Sequence, residues 1–388
     1  MSSGTNQLVN RALFQPVERP VVHCLTGREH VLRLSRSLVE LSTRCGQPGA
    51  MDDIAYFLSK PGALPRIPNL LLVARTPELD LRSPKLDDLM GAMLIFEQNI
   101  AGIGVGAYAT NDRSGRHTLI SVAQDRSRVV ALASRALLER GAHLILMSYR
   151  AGDAGGTGAT NRPPLLEVAE QGMGVAQWAV RKRTIPGYLP LSTTFDATLA
   201  KIGQRTRSNL RYYRRRAEAD LGCVFLPQIE ATREEVLRFN RKCMYAVPAS
   251  VAGWRYDSLK DLKDPVFMGI KDREGRWLSL LGGRRYGDRS EILWQMNRSG
   301  HATSSLGTVM RSYCIEHEIA HGSRRLYIEG GTPHPIKFSF VPEELTDLVV
   351  MRPTLTAKVM HMVARRCIAP DNELSHMLDA KDLEWLPC

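Results

Sequence analysis

The sequence predicts an α+β protein, mixed α/β in content, whose largely antiparallel sheet is built twice. Three observations carry this. Helical periodicities alternate with strand-like apolar runs, and those runs come in consecutive groups joined by short turn signals, as in a meander. Each half then ends in the order strand, short loop, amphipathic helix, glycine, strand, a crossover that must pair its two strands in parallel. The two copies also align, with "ERGAHLIL" around Gly141 against "AHGSRRLYI" around Gly322. A repeat this long points to a duplicated domain rather than a solenoid. At 388 residues the length favours two domains, expected at 1–164 and 165–388, the second with a C-terminal helical tail.

The elements follow in order. Residues 27–59 are expected to be helical: "HVLRLSRSLVELSTRC" spaces leucine and valine by three and four, and "MDDIAYFLSK" brings acids to the first turn of a second helix. Pro61, Pro65 and Pro68 break the pattern. "NLLLVAR", "GAMLIFEQ", "GIGVGAYAT" and "HTLISVA" are strand-like. "DRSRVVALASRALLERG" is an amphipathic helix closed by Gly141, and "AHLILMSYR" is a strand apolar on both faces. "AGDAGGTGATNRPP", residues 151–164, is expected to be a loop. In the second half, "ATLAKIGQRTRSNLRYYRRRAEAD" and "TREEVLRFNRKCMYAV" are helical. "PVFMGIKD", "RWLSLLGGRRY" and "SEILWQMN" are strands joined at "REGR" and "YGDRS". "SLGTVMRSYCIEHEIAHG" is a helix with Ser304 or Ser305 at its N-cap and Gly322 past its end, and "RRLYIEGG" is a strand.

Composition sets bounds. With 44% hydrophobic and 24% charged residues the chain can bury large cores. No apolar run is long enough to span a bilayer, and the first residues lack the apolar segment of a signal peptide, so a cytoplasmic location is expected. The seven cysteines are scattered and form no C-x-x-C pair. Net charge is +12, and residues 201–216 hold one Lys and six Arg without an acid. Such a run reads as a solvated helix face or as the contact for an anionic partner: phosphates, nucleic acid such as tRNA, or anionic lipid.

The H-E-x-x-H pattern of zinc hydrolases occurs at His317, Glu318 and His321. Catalytic zinc needs a third protein ligand, for which Glu343 stands at a usable spacing. Against this, 309, 310, 313, 314 and 320 surround His317 on a helical wheel, so that face is expected to pack on the sheet. No metal is therefore expected. "GIGVG" and "GDAGGTG" do not open a helix as a dinucleotide fingerprint does, and there is no P-loop or nucleophile elbow.

The stretch "LWQMNRSGHATSSLGTVMRSYCIEHEIAHGSRRLYIEGGTPHPIKFSF", preceded by the arginine-rich "SNLRYYRRRAE", resembles the tandem GNAT branch that includes Fem-like aminoacyl transferases and the cellulose-biosynthesis-type acetyltransferase domain. The resemblance covers about residues 175–345 well and the first half in layout. The superfamily's phosphate loop is Q/R-x-x-G-x-G/A. In the first copy, "QDRSRV" keeps Gln124 but has Ser127 and Val129 at the glycine positions, so that copy is expected to be degenerate. In the second, Gly307 matches the last glycine, Ser305 replaces the first and Ala302 replaces Gln or Arg.

The resemblance implies an N-acyltransferase, in the simplest case an acetyltransferase, moving an acyl group from acetyl-CoA or another acyl-CoA to an amine acceptor, small molecule or peptide. Cofactor phosphates would lie on Ser304, Ser305, Leu306, Gly307 and Thr308 at a helix start, where unpaired N–H groups and the dipole favour anions. Arg311 and the arginines of 205–216 would take the remaining phosphates. Gln295 and Asn297 would face the thioester carbonyl. Glu329 is the first choice for general base and His334 the second, and Lys337 would pair with a carboxylate on the acceptor. The alternative donor is an aminoacyl-tRNA, read by residues 201–216. Trp254, Arg255 and Tyr256, after the expected loop "AVPASVAGW", could wall the acceptor pocket or be ordinary surface residues.

Overall fold

The computed structural model describes residues 20–59, 66–100, 103–110, 118–150, 176–329, 334–359, 362 and 384–386. In the first half, β1 (Val21–Thr26) leads into α1 (Arg28–Arg33), α2 (Ser35–Arg44) and α3 (Ile54–Ser59). Then come β2 (Arg66–Ala74), β3 (Leu89–Ile100), β4 (Ile103–Ala109), β5 (Leu119–Ser121), α4 (Arg126–Glu139) and β6 (Leu144–Arg150). The second half runs β7 (Gln177–Pro190), α5 (Phe195–Ala200), α6 (Gln204–Leu221), β8 (Val224–Leu226), α7 (Arg233–Asn240) and α8 (Ala249–Asp257). It continues with β9 (Pro265–Lys271), β10 (Trp277–Tyr286), β11 (Arg289–Asn297), α9 (Leu306–Ala320), β12 (Arg325–Ile328), β13 (Val341–Met351) and β14 (Glu384–Leu386).

The strands form one sheet in the order β1-β2-β3-β4-β6-β13-β7-β12-β11-β10-β9-β8, with β5 on β3 and β14 on β7. Pairing among the described residues is antiparallel except at β4–β6 and β11–β12, the two crossovers expected from the repeat. The fold class read from the sequence, α+β with a largely antiparallel sheet and two strand–helix–strand crossovers, is the one observed. The helices α4 and α9 close the two crossovers, and Gly141 and Gly322 follow them at φ +97° and +83°.

Several elements differ from expectation. β1, β7, β8, β13 and β14 do not stand out in the sequence. β13 returns from the C-terminal half to pair with both β6 and β7, so the sheet is continuous where two domains were expected to part. The 164/165 boundary, the 151–164 loop and most of the expected helical tail lie outside the described residues. The long helix expected at 197–220 breaks at 201–203, with Gly203 capping α6. "AVPASVAGW" is not a loop: α8 starts at Ala249, after Pro248. Asp52 and Asp53 were expected within a first helical turn, but α3 begins at Ile54. Asp53 is instead drawn into the interior by a buried cation. Its Oδ1 accepts the Lys263 N–H at 2.6 Å and its Oδ2 accepts Arg284 Nη1 at 2.5 Å. Arg284 Nε donates to Glu291 at 2.7 Å, and all three side chains are 0–1% exposed.

Candidate active-site cleft at the start of helix α9

The cleft begins with a bulge. Gly282 pairs with Trp294 and Gly283 with Ile292, which leaves Leu293 as an extra residue in β11. An added Cβ at Gly282 would lie 2.2 Å from the Trp294 ring, and one at Gly283 would lie 2.3 Å from the Glu291 carbonyl, so both positions need glycine. The extra residue shifts the alternation of side chains. Ser290 and Ile292 face α9 before it. After it, Trp294 and Met296 pack on the opposite face with Leu280, and Gln295 and Asn297 turn toward α9. The parallel pairing of β11 and β12 ends at the same level. Its register stops at Ile292↔Ile328, followed by one last bond from Glu329 N–H to the Ile292 carbonyl at 2.8 Å. No further pairing joins the two strands among the described residues.

The start of α9 lies over this end of β11. Ser305, its N-cap, is left-handed at φ 45°, the one non-glycine residue with positive φ among those described. Ser304 N–H donates to His301, and Thr308 N–H donates to the Ser305 carbonyl at 2.7 Å. The N–H groups of Leu306 and Gly307 have no partner among the described residues. Of the five residues expected to receive phosphate, these two keep the donors of a helix start. Gln295 Nε2 donates to Asn297 Oδ1 at 3.0 Å and to the Gly307 carbonyl at 3.4 Å. Ser279 Oγ donates to the same Asn297 Oδ1 at 2.8 Å, which turns Asn297 Nδ2 toward Gly307. A Cβ on Gly307 would sit 3.3 Å from that Nδ2.

His334 comes to this end of α9. Its Nδ1 accepts the Ile336 N–H at 3.2 Å, capping the short 3₁₀ turn Pro335–Ser339. That acceptor role puts the ring proton on Nε2, which lies 3.1 Å from Thr308 Oγ1. Thr308 Oγ1 is in turn 2.8 Å from Ser305 Oγ. Burial and then the Arg311 charge push His334 down to about 4, so the imidazole is neutral at neutral pH. Both ring nitrogens are engaged, which is the geometry of a positioning residue. Glu329 stands half-buried at the end of β12, next to β11. Lys337 is half-buried in the 3₁₀ turn.

Arg311 lies one turn into α9, on the stripe Gly307–Arg311–Cys314–Glu318 that faces β11. It is 8% exposed. Its guanidinium makes no hydrogen bond or ion pair to a described residue, and its Nε is fully enclosed without a partner. Burial pushes it down to about 10, so it remains a cation at neutral pH.

The arginine run is placed differently from expectation. Arg214 pairs with Glu316 at 2.7 Å while Glu218 accepts the Tyr313 hydroxyl at 2.6 Å, so α6 and α9 run antiparallel. Arg205 and Arg207 therefore lie roughly 10–14 Å beyond Arg214, toward the far end of α9 and away from its start. Arg211 and Arg216 are held by Asp196 and Asp220.

The H-E-x-x-H glutamate is the buried member of its motif. Glu318 is 1% exposed and accepts both Arg285 Nε and Nη2, at 2.8 and 2.7 Å, as well as the Ser290 and Ser323 hydroxyls. His317 sits edge-on to Phe225, and His321 is exposed at the helix end. Glu343 accepts the Tyr327 hydroxyl on another strand. No three His, Cys, Asp or Glu among the described residues group as metal ligands. Trp254 donates to Ser59 and packs on Tyr56, at the contact between the halves, and Tyr256 packs on Phe267 within the second half, so both rings are engaged in packing. The first-copy helix start carries Asp125, paired to Arg75 at 3.2 Å, where a phosphate would meet a carboxylate.

Three features of the cleft escape sequence reasoning: the bulge at Leu293, the Thr308–His334 link and the isolation of Arg311. The adjacent glycines of β10 were a readable signal for the first.

The sequence matches no protein-family model and no curated protein. Among solved structures the fold is similar to FemX, at 11% identity over 75% of this chain and 89% of that one, TM-score 0.46. It is also similar to a tandem GNAT protein from the clavulanic acid biosynthesis pathway, at 11% identity over 86% and 98%, TM-score 0.47. L-PGS from Bacillus licheniformis is similar at 12% identity over 71% and 85%, TM-score 0.44.

Proposed function

We propose that this chain is an acyl-CoA-dependent N-acyltransferase. The observation that carries the reading is the bulge at Leu293, which turns Gln295 and Asn297 toward Gly307 just past the described pairing of β11 with β12. In this reading the thioester lies there, with CoA phosphates at the N–H groups of Leu306 and Gly307. Asn297 Nδ2 donates to the developing oxyanion. The acceptor nitrogen attacks the carbonyl carbon while Glu329, directly or through water, takes its proton. The C–S bond then breaks and CoA leaves as a thiolate that is protonated on release. His334 holds Thr308 and Ser305 in place, and Lys337 orients the acceptor.

A second reading, an aminoacyl-tRNA donor, is favoured by one feature. Arg205 and Arg215 are exposed on α6 without an ion pair among the described residues, beside Tyr212 at 50% exposure, the charge and stacking that nucleic acid uses.

The test is thiol release from acetyl-CoA and longer acyl-CoAs across a panel of amines. The proposal expects turnover with a CoA thioester, reduced at least about 100-fold by Glu329→Gln. Transfer from charged tRNA with none from any CoA thioester would select the second reading.

A further inference from the structure

A guanidinium taken out of water without a counter-charge is costly, and in natural proteins such a group is paired or awaits a ligand. Arg311 is this case. It is 92% withdrawn from solvent and meets no carboxylate among the described residues. The nearest acid on its stripe, Glu318, lies two turns further along α9 and is occupied by Arg285 and Ser290. The neighbours felt by its charge are Cys314 and His334, neither of which is an anion at neutral pH.

Its position matters as much as its isolation. Gly307 lies level with Gln295 and Asn297, and Glu318 level with Ser290, so Arg311 lies between them, level with the bulge at Leu293. That is the level just beyond the end of the described pairing of β11 with β12. A side chain on a helix leans toward the N-terminus, which directs the guanidinium from that level toward the helix start.

We propose that Arg311 receives a carboxylate of the substrate at the floor of the cleft. This deepens the acyl-transfer reading and rests on it for the surrounding chemistry: the enzyme would act on a carboxylated ligand. Two sources share that chemistry, an amino-acid-like acceptor and the free end of a dicarboxylic acyl group. A guanidinium suits either, because its planar fork accepts a carboxylate by two parallel bonds.

The experiment uses the full chain and Arg311→Met, with Arg311→Lys as the charge-retaining control. Thermal melts without ligand come first. Removal of an uncompensated buried charge leaves Arg311→Met as stable as the parent or more so, whereas a clear loss of stability would mean that Arg311 is a structural partner and would overturn the proposal. Melts are then repeated with succinate, with free amino acids and their C-terminal amides, and with CoA. Carboxylates should stabilise the parent and not Arg311→Met, while the stabilisation by CoA stays the same. Kinetics separate the sources. A preference for succinyl-CoA over acetyl-CoA that collapses about 100-fold in Arg311→Met places the carboxylate on the donor. The same collapse for amino acid over amide places it on the acceptor. Equal losses for charged and neutral substrates, a loss of CoA stabilisation, or no response of the parent to any carboxylate would each overturn the proposal. If no CoA species binds the parent but Arg311-dependent carboxylate binding persists, the donor reading fails and this assignment stands.

Discussion

Glu318 and Arg285 face each other in a two-point ion pair, at 2.7 and 2.8 Å, with Glu318 fully enclosed. This pair explains why a helix that spells a zinc motif carries its glutamate inward. Arg285 on β10 needs a carboxylate, and Ser290 and Ser323 supply the remaining donors.

Glu318→Gln should therefore lower unfolding free energy by about 3 kcal/mol, because it leaves a largely buried guanidinium with only the long, exposed pair to Asp264 at 3.7 Å. His317→Ala, on the flank, should cost less than about 1.5 kcal/mol. Denaturant melts of both variants check this. A larger loss for the histidine would contradict the assignment.

Asp53 ties the first half to the second through Arg284. Asp53→Ala should also cost about 3–5 kcal/mol, and it strips the acceptor from the Lys263 N–H. The same melts measure it. A change under about 1 kcal/mol would mean that the buried triad does not join the halves.

His334 gives stability a pH dependence. Its folded value of about 4 lies below its ordinary 6.5, so the unfolded chain binds more protons between these limits. The contribution is complete above pH 6.5 and is lost as pH falls toward 4. A loss of order 2 kcal/mol is expected over that window. Asn in place of His keeps a capping acceptor without the titration. Melts at pH 7 and pH 5 should show a smaller difference in His334→Asn than in the parent, and an equal difference would contradict the neutral, capping imidazole.

Gly307→Ala tests the helix start. The new methyl would press on Asn297 Nδ2 at 3.3 Å, a contact that the flexible amide can relieve. Stability should change by less than about 1 kcal/mol, while acyl-CoA kcat/KM falls about 10-fold or more as the oxyanion donor is displaced. Paired melts and kinetics separate the two effects.

Local pattern made much of this fold legible. Helices α2, α4 and α9 have apolar residues at helical spacing, and β2, β3, β9, β10 and β11 are apolar runs bounded by turns. The strands that were missed are those defined by distant partners. β7 contains Pro186 and a basic stretch, and β13 opens with "VPEE", so neither resembles a core strand locally. Their pairing joins positions as far apart as Arg181 and Asp347, 166 residues in sequence. The same holds for the site. Ser305 could be picked out because a serine before a helical pattern marks a helix start, and Gly307 through the resemblance of the loop to a phosphate-binding pattern. That Arg311 has no counter-ion among the described residues depends on what every neighbouring element fails to present, which no window of sequence contains.

In the proposed function the start of α9, beside Gln295 and Asn297 of β11, receives an acyl-CoA. Calorimetric titration of the full chain with acetyl-CoA and CoA, in parallel with Gly307→Asp, tests it most directly. Saturable binding with micromolar Kd to the parent is expected, and at least about 10-fold weaker binding to the variant, whose carboxylate would face the phosphates. Undiminished binding to Gly307→Asp, or no binding of any CoA species to the parent, would contradict it.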